Sequence, residues 1–132
     1  RRVARPGATI ALTTNLQGHM RELYDVFDDV LRDDEAAKRR LHDHVAHRAT
    51  IPTVRELLEA SRFEVTRVVE KTARMRFANG TALLNHHFIK LGFVDEWLKI
   101  AGDDALQAIA ERLAGEISLT IPMAYVEATT RS

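Results

Sequence analysis

At 132 residues the chain has room for one ordinary domain with a modest core. Its composition, 45% hydrophobic and 29% charged, is that of a globular protein, and Lys plus Arg balance Asp plus Glu at 19 each, so no net field favours nucleic acid or an anionic membrane. The absence of cysteine removes disulfides, thiolate zinc sites and cysteine nucleophiles together, and suits a reducing cytoplasm, the location expected.

The first element is expected at Thr9 to Thr14 (TIALTT), a β-branched run entered through Pro6-Gly7, and its nearly continuous apolar character predicts a strand buried on both faces. Asn15 to His19 reads as a loop containing Gly18. From Met20 the period changes: Leu23, Val26, Phe27, Val30 and Leu31 form an amphipathic helical stripe. Asp33-Asp34 interrupts it, and a more polar helix is expected from Glu35 to about His47. Thr53 and Glu56 have capping-box spacing and predict a short helix with Val54, Leu57 and Leu58 inward.

Phe63 to Phe77 alternates imperfectly and reads as a long strand with a bulge or bend near Val68-Val69. Asn79-Gly80 signals a turn. Helix follows from Ala82 to Leu91 with Gly92 as its cap, then from Phe93 to Ala101, then from a cap at Asp103 or Asp104 with Leu106, Ile109, Ala110 and Leu113 inward. Ile117, Leu119, Ile121, Met123 and Tyr125 alternate as a final strand. The order is strand, helices, strand, helices, strand, with no repeat and no long linker. No apolar run approaches the roughly 18 residues of a membrane-spanning helix.

Four stretches taken in succession, RPGATIALTTN, TVRELLEASRFEV, FANGTALLNHHFI and ISLTIPMAYVEATTR, resemble the C-terminal half of a class I S-adenosylmethionine-dependent methyltransferase. In that family a PGG turn enters the fifth strand of a seven-stranded Rossmann-like sheet. A helix ending in a Gly-Phe turn enters the sixth, and the seventh runs antiparallel between those two. The resemblance implies an α/β fold in which this chain supplies the fifth to seventh strands and flanking helices. Residues 1–132 would then be one partial domain on the substrate side, with residues 17–51 as a helical insertion and a possible substrate lid. Ser61-Arg62 stands where the family has its turn glycine, and Ala8 replaces the second glycine of PGG. A non-glycine left-handed cap costs about 1 kcal/mol.

The family's cofactor lies across the carboxyl ends of the first four strands, beside a glycine-rich loop. The six glycines here (7, 18, 80, 92, 102, 115) stand singly and build no such loop. The expectation is therefore a segment beginning before the fifth strand of a longer enzyme, using S-adenosylmethionine in the intact parent but binding no cofactor by itself.

The resemblance also implies that the first strand's end opens toward a small-molecule methyl acceptor. Thr14, Asn15 and Met20 become substrate-binding candidates, and His19 a candidate general base, since an unperturbed imidazole titrates near 6.5. Against this, Thr14 and Asn15 equally suit a strand end and His19 a solvated loop. His42, His44 and His47 invite a metal, but only two of them share a helix face, so a solvated helix is favoured and no metal is expected. His86 and His87 are consecutive, and His87 falls on the apolar face one turn from Leu83 and Leu91, as a core histidine would. Lys71, Arg74 and Arg76 form a short basic stripe without interleaved aromatics, which reads as a solvated strand face. Trp97 with Phe93 and Phe88 reads as core.

Two functions of different class fit. One is a methyltransferase segment, inactive alone. The other is a self-standing α/β interaction module that oligomerises through a sheet edge. In either case neither nucleic acid nor membrane is the partner, and a homo-oligomer or association with the missing N-terminal half is expected.

Overall fold

A computed structural model describes residues 3–131. Its elements in chain order are β1 (Thr9–Asn15), α1 (Arg21–Val30), α2 (Glu35–Ala46), α3 (Ile51–Ala60), β2 (Phe63–Phe77), α4 (Gly80–Asn85), α5 (His87–Gly92), α6 (Val94–Ala101), α7 (Asp103–Arg112) and β3 (Ile117–Thr130). The three strands form one sheet in the order β1-β3-β2. β1 and β3 are antiparallel, in a register running from Thr9 opposite Thr129 to Asn15 opposite Met123. β2 also opposes β3: Arg131 donates its N–H to the Arg62 carbonyl just ahead of β2, and the Thr66 hydroxyl donates to the Glu127 carbonyl. The last strand in sequence is thus the middle strand in space, and β1 and β2 run parallel to each other. This is the α/β architecture with a reversed last strand expected from the sequence.

The chain divides into two compact units. The first contains the described residues up to His19, Arg48–Ala73 and the residues from Ile121 on. Here α3 lies against one sheet face, with Val54 and Leu58 packed on Leu12, Ala124, Val126 and Ala128. The small side chains of β3 leave room for the helix. On β2 the core-facing positions shift from odd (Phe63, Val65) to even (Val68), as an extra residue in a bulge produces. β1 corrects the expectation of a strand buried on both faces: Thr9, Ile10, Ala11 and Thr13 are exposed, because β1 is the sheet edge and only its even face meets α3.

α3 begins earlier than its sequence pattern implies. Thr50 is the N-cap and Thr53, not Glu56, closes the reciprocal box: the Thr53 N–H donates to Thr50 Oγ1, and the Thr50 N–H to Thr53 Oγ1. The helix rests on the sheet through Val54 and Leu58, so Leu57, expected inward, is 67% exposed. The helix leaves through Arg62 at φ 62°, so the left-handed exit survives without the glycine.

The second unit contains Met20–His47 and Arg74–Thr120. Its core is built from large side chains: Trp97, Phe27 and Met20 are fully buried, and Trp97 Nε1 donates to the Tyr24 hydroxyl at 3.2 Å. Phe27 and Trp97 meet edge-on with ring centroids 5.8 Å apart. Gly80 lets α4 press onto α7, since a Cβ there would run into the backbone of Ala110. Asn79 is a helix N-cap rather than a turn, its side chain accepting the Ala82 N–H at 2.8 Å. The helix expected over residues 82–91 is two, broken at His86 (ψ 131°). α7 is entered through Gly102 at φ 80°, without a side-chain cap from Asp103 or Asp104. β3 runs five residues past Tyr125, through Thr130.

Candidate functional site

The carboxyl end of β1 and the turn after it carry the residues singled out from the sequence. Thr14 and Asn15 are half-buried and lie opposite Ala124 and Met123. Successive strand residues face opposite ways, so these two do not converge on one ligand: Thr14 shares a face with Leu12 and the α3 core, Asn15 with Thr13. The Thr14 hydroxyl is also engaged locally, donating to the Asn15 carbonyl at 3.3 Å. Beyond the strand, Leu16 donates to the Pro122 carbonyl and Gln17 to the Ala49 carbonyl, both at 2.9 Å. The His19 N–H closes the turn on the Leu16 carbonyl at 3.2 Å. The His19 side chain is only 4% exposed, so the solvated loop histidine of the plainer sequence reading is not what forms.

Met20 is fully buried at φ 56°, ψ 32°, a left-handed conformation that costs a non-glycine residue about 1–2 kcal/mol. Its N–H reaches the Thr120 carbonyl at 2.8 Å, which helps hold it there. Strain of this kind gathers at positions the surrounding structure over-determines, functional turns among them.

The same region of the second unit holds a polar cluster that sequence patterns do not reveal. Glu22 accepts the backbone N–H of Thr120 at 2.9 Å and also its hydroxyl. Arg74 lies 3.7 Å from Glu22 and donates to Ser118 Oγ at 2.7 Å and Thr120 Oγ1 at 3.2 Å. Burial alone would raise the Glu22 carboxyl, but the hydrogen bonds from the Thr120 hydroxyl and amide, its own N–H and the nearby Arg21 outweigh it and hold the group below its usual value. Glu22 and Thr120 lie 98 residues apart, so no local pattern could have paired them.

The remaining candidates resolve separately. Arg76 pairs with Glu116 at 2.7 Å, and Lys71 leaves the expected stripe because it lies on the other strand parity with Arg67 and Val69. His42, His44 and His47 each bond a different partner: Asp28 Oδ1 at 3.0 Å, the Tyr24 hydroxyl at 3.1 Å and the Asp43 carbonyl. Among the described residues no group of three His, Asp or Glu side chains converges to hold a metal. His87 is exposed rather than in the core, because the break at His86 resets the helix phase. Trp97 is core as expected, whereas Phe88 is 53% exposed and meets Phe93 in a T-shaped ring contact.

No family model and no curated protein matches the chain. Among solved structures it is similar to a "putative methyltransferase" from Bacillus halodurans, with 16% identity and a TM-score of 0.48 over 99% of this chain. The chain spans 55% of that protein.

Proposed function

We propose that this chain is the C-terminal, substrate-side part of an S-adenosylmethionine-dependent methyltransferase acting on a small-molecule acceptor. The strand order carries the reading: the last strand lies between two parallel strands and opposes both. That is the arrangement the sequence resemblance implies for the fifth, seventh and sixth strands. β1 then corresponds to the fifth, and its outer edge to the place of the fourth.

The described residues do not form a cradle for the cofactor. Gly7, Gly18 and Gly102 adopt positive φ singly in separate turns, and Met20, not a glycine, takes the left-handed position before α1. S-adenosylmethionine would therefore be held by other parts of the parent, and no step through it is assigned to these residues. In this reading Asn15, on the face opposite to Thr14, contacts the acceptor at the strand end and His19 receives its proton. At 4% exposure His19 meets an acceptor only when the turn from Leu16 to Met20 opens.

The test is calorimetry with S-adenosylmethionine on the 132-residue chain and on the parent carrying its upstream residues. The parent is expected to bind and the shorter chain not to. Micromolar, saturable binding by the shorter chain, or an upstream sequence with no glycine-rich loop, overturns the reading. In the parent, Asn15→Ala and His19→Ala should lower turnover more than cofactor affinity.

A second reading, an interaction module that pairs through β1, is favoured by the exposure of Thr9, Ile10 and Ala11. An edge strand presents unpaired N–H and C=O groups that a second copy can satisfy. Light scattering with mass spectrometry separates a homo-oligomer from association with an N-terminal polypeptide. A stable monomer of 14.9 kDa with no companion removes both partners.

A further inference from the structure

Within the first unit, the sheet face turned away from α3 holds a pocket of about 330 Å³. Its lining comes from all three strands: Thr13 of β1, Met123, Ala124 and Tyr125 of β3, and Arg67, Val69 and Lys71 of β2. The register explains the convergence. Thr13 lies directly opposite Tyr125, and Arg67, Val69 and Lys71 are alternate residues of one strand. Odd-numbered β3 residues face this side, while Ala124, Val126 and Ala128 are buried under α3.

The charges of the wall are unequal. Arg67 is held in place: its Nη1 lies 3.9 Å from Glu127 Oε1, and its guanidinium stands 5.9 Å from the centre of the Tyr125 ring. The Tyr125 hydroxyl donates to the same Glu127 carboxylate. Glu127 therefore offsets Arg67, and the ring of Tyr125 is fixed as a flat wall. Lys71 has no carboxylate partner among the described residues. Between the two cations lie the apolar side chains of Val69 and Met123, and across the sheet the Thr13 hydroxyl offers a donor.

We infer that this pocket binds a small aromatic monocarboxylate. The anion meets the Lys71 ammonium, and the flat apolar body rests on Val69 and Met123 beside the Tyr125 ring. A cleft of this size with an apolar floor and few polar groups is the usual form of a small-ligand site. Lys71 is exposed and has no carboxylate to displace, so an anion gains a contact there that a neutral ligand does not, and a dianion would face only one uncompensated cation. The inference is independent of the methyltransferase reading, since the pocket needs neither cofactor nor acceptor chemistry.

The test is an amide NMR titration of the 132-residue chain with naphthoate, its neutral amide and acetate. Naphthoate should give saturable shifts centred on Thr13, Val69, Lys71 and Tyr125. Naphthamide, lacking the charge, and acetate, lacking the ring, should each bind about tenfold or more weakly, the scale of one lost charge-assisted contact or one lost apolar surface. Lys71→Gln should weaken naphthoate about tenfold with its thermal midpoint unchanged. Absence of saturation, equal affinity for naphthamide, shifts centred elsewhere, or undiminished affinity in Lys71→Gln would each overturn the assignment.

Discussion

β1 and β3 are neighbours paired residue for residue over seven positions, and both are apolar in sequence, yet they have opposite fates. Val126 is 2% exposed and Ala128 fully buried, while Ile10, directly across from Ala128, is 37% exposed. The difference lies in position. β3 has a strand on each side and α3 above it; β1 has one neighbour and a bare edge. An apolar run therefore reports what a strand tolerates, and its place in the sheet decides what it buries. The second face of the same sheet sharpens the lesson, because Met123 and Tyr125 line a pocket there while Val126 and Ala128 of the same strand are buried with α3.

The widest test of the contrast places the same charge on each strand. Val126→Asp should cost more than about 4 kcal/mol, because an ionised carboxyl would be trapped under α3 without a partner. Ile10→Asp on the edge should stay within about 1 kcal/mol. Urea unfolding of both variants checks this, and equal losses would show that β1's edge is covered in solution. Next comes the helix that makes the two sheet faces different. Leu58→Ala removes a side chain packed between α3 and β3 and should cost about 2–5 kcal/mol, read in the same way.

A smaller effect, of opposite sign, is expected at the exit of α3. Arg62→Gly relieves a left-handed residue costing about 1–2 kcal/mol but adds about 0.5–1 kcal/mol of unfolded-state freedom, so a net gain of about 0.5 kcal/mol should appear as a raised melting midpoint. The smallest effect concerns pH and the start of β3. The Glu22 carboxyl lies below its usual value when folded, so the unfolded chain holds that proton more tightly. Its contribution is present in full above the usual carboxylate range, about 4, and is lost as pH falls through the lowered folded value. Stability measured against pH should therefore fall less steeply on acidification in Glu22→Gln than in the native chain.

Much of the fold was legible because local rules govern it. The polar helix α2 and the 15-residue β2 lie where periodicity and turn signals put them. The reversed last strand follows from the succession of motifs. Boundaries were less legible where two signals competed. At α3 the capping-box spacing of Thr53 and Glu56 competes with the true start, which hydrogen bonds between Thr50 and Thr53 fix at Thr50. The run from Ala82 to Leu91 has helical residues throughout, yet it breaks at His86. Of the site residues, Thr14 and Asn15 were readable as a strand end, whereas His19, read as solvated or as a base, is only 4% exposed.

The sequence by itself determined the element order, the amphipathic stripe of α1, the small side chains that let α3 settle on β3, and the absence of a glycine-rich loop, since each depends on residues within a few positions of one another. Only the tertiary structure decided that β1 is an exposed edge, that Glu22 meets Thr120, and that Lys71 and Thr13 share a pocket. Those outcomes depend on strand order and register between residues far apart in the chain, where spacing along the sequence carries no information.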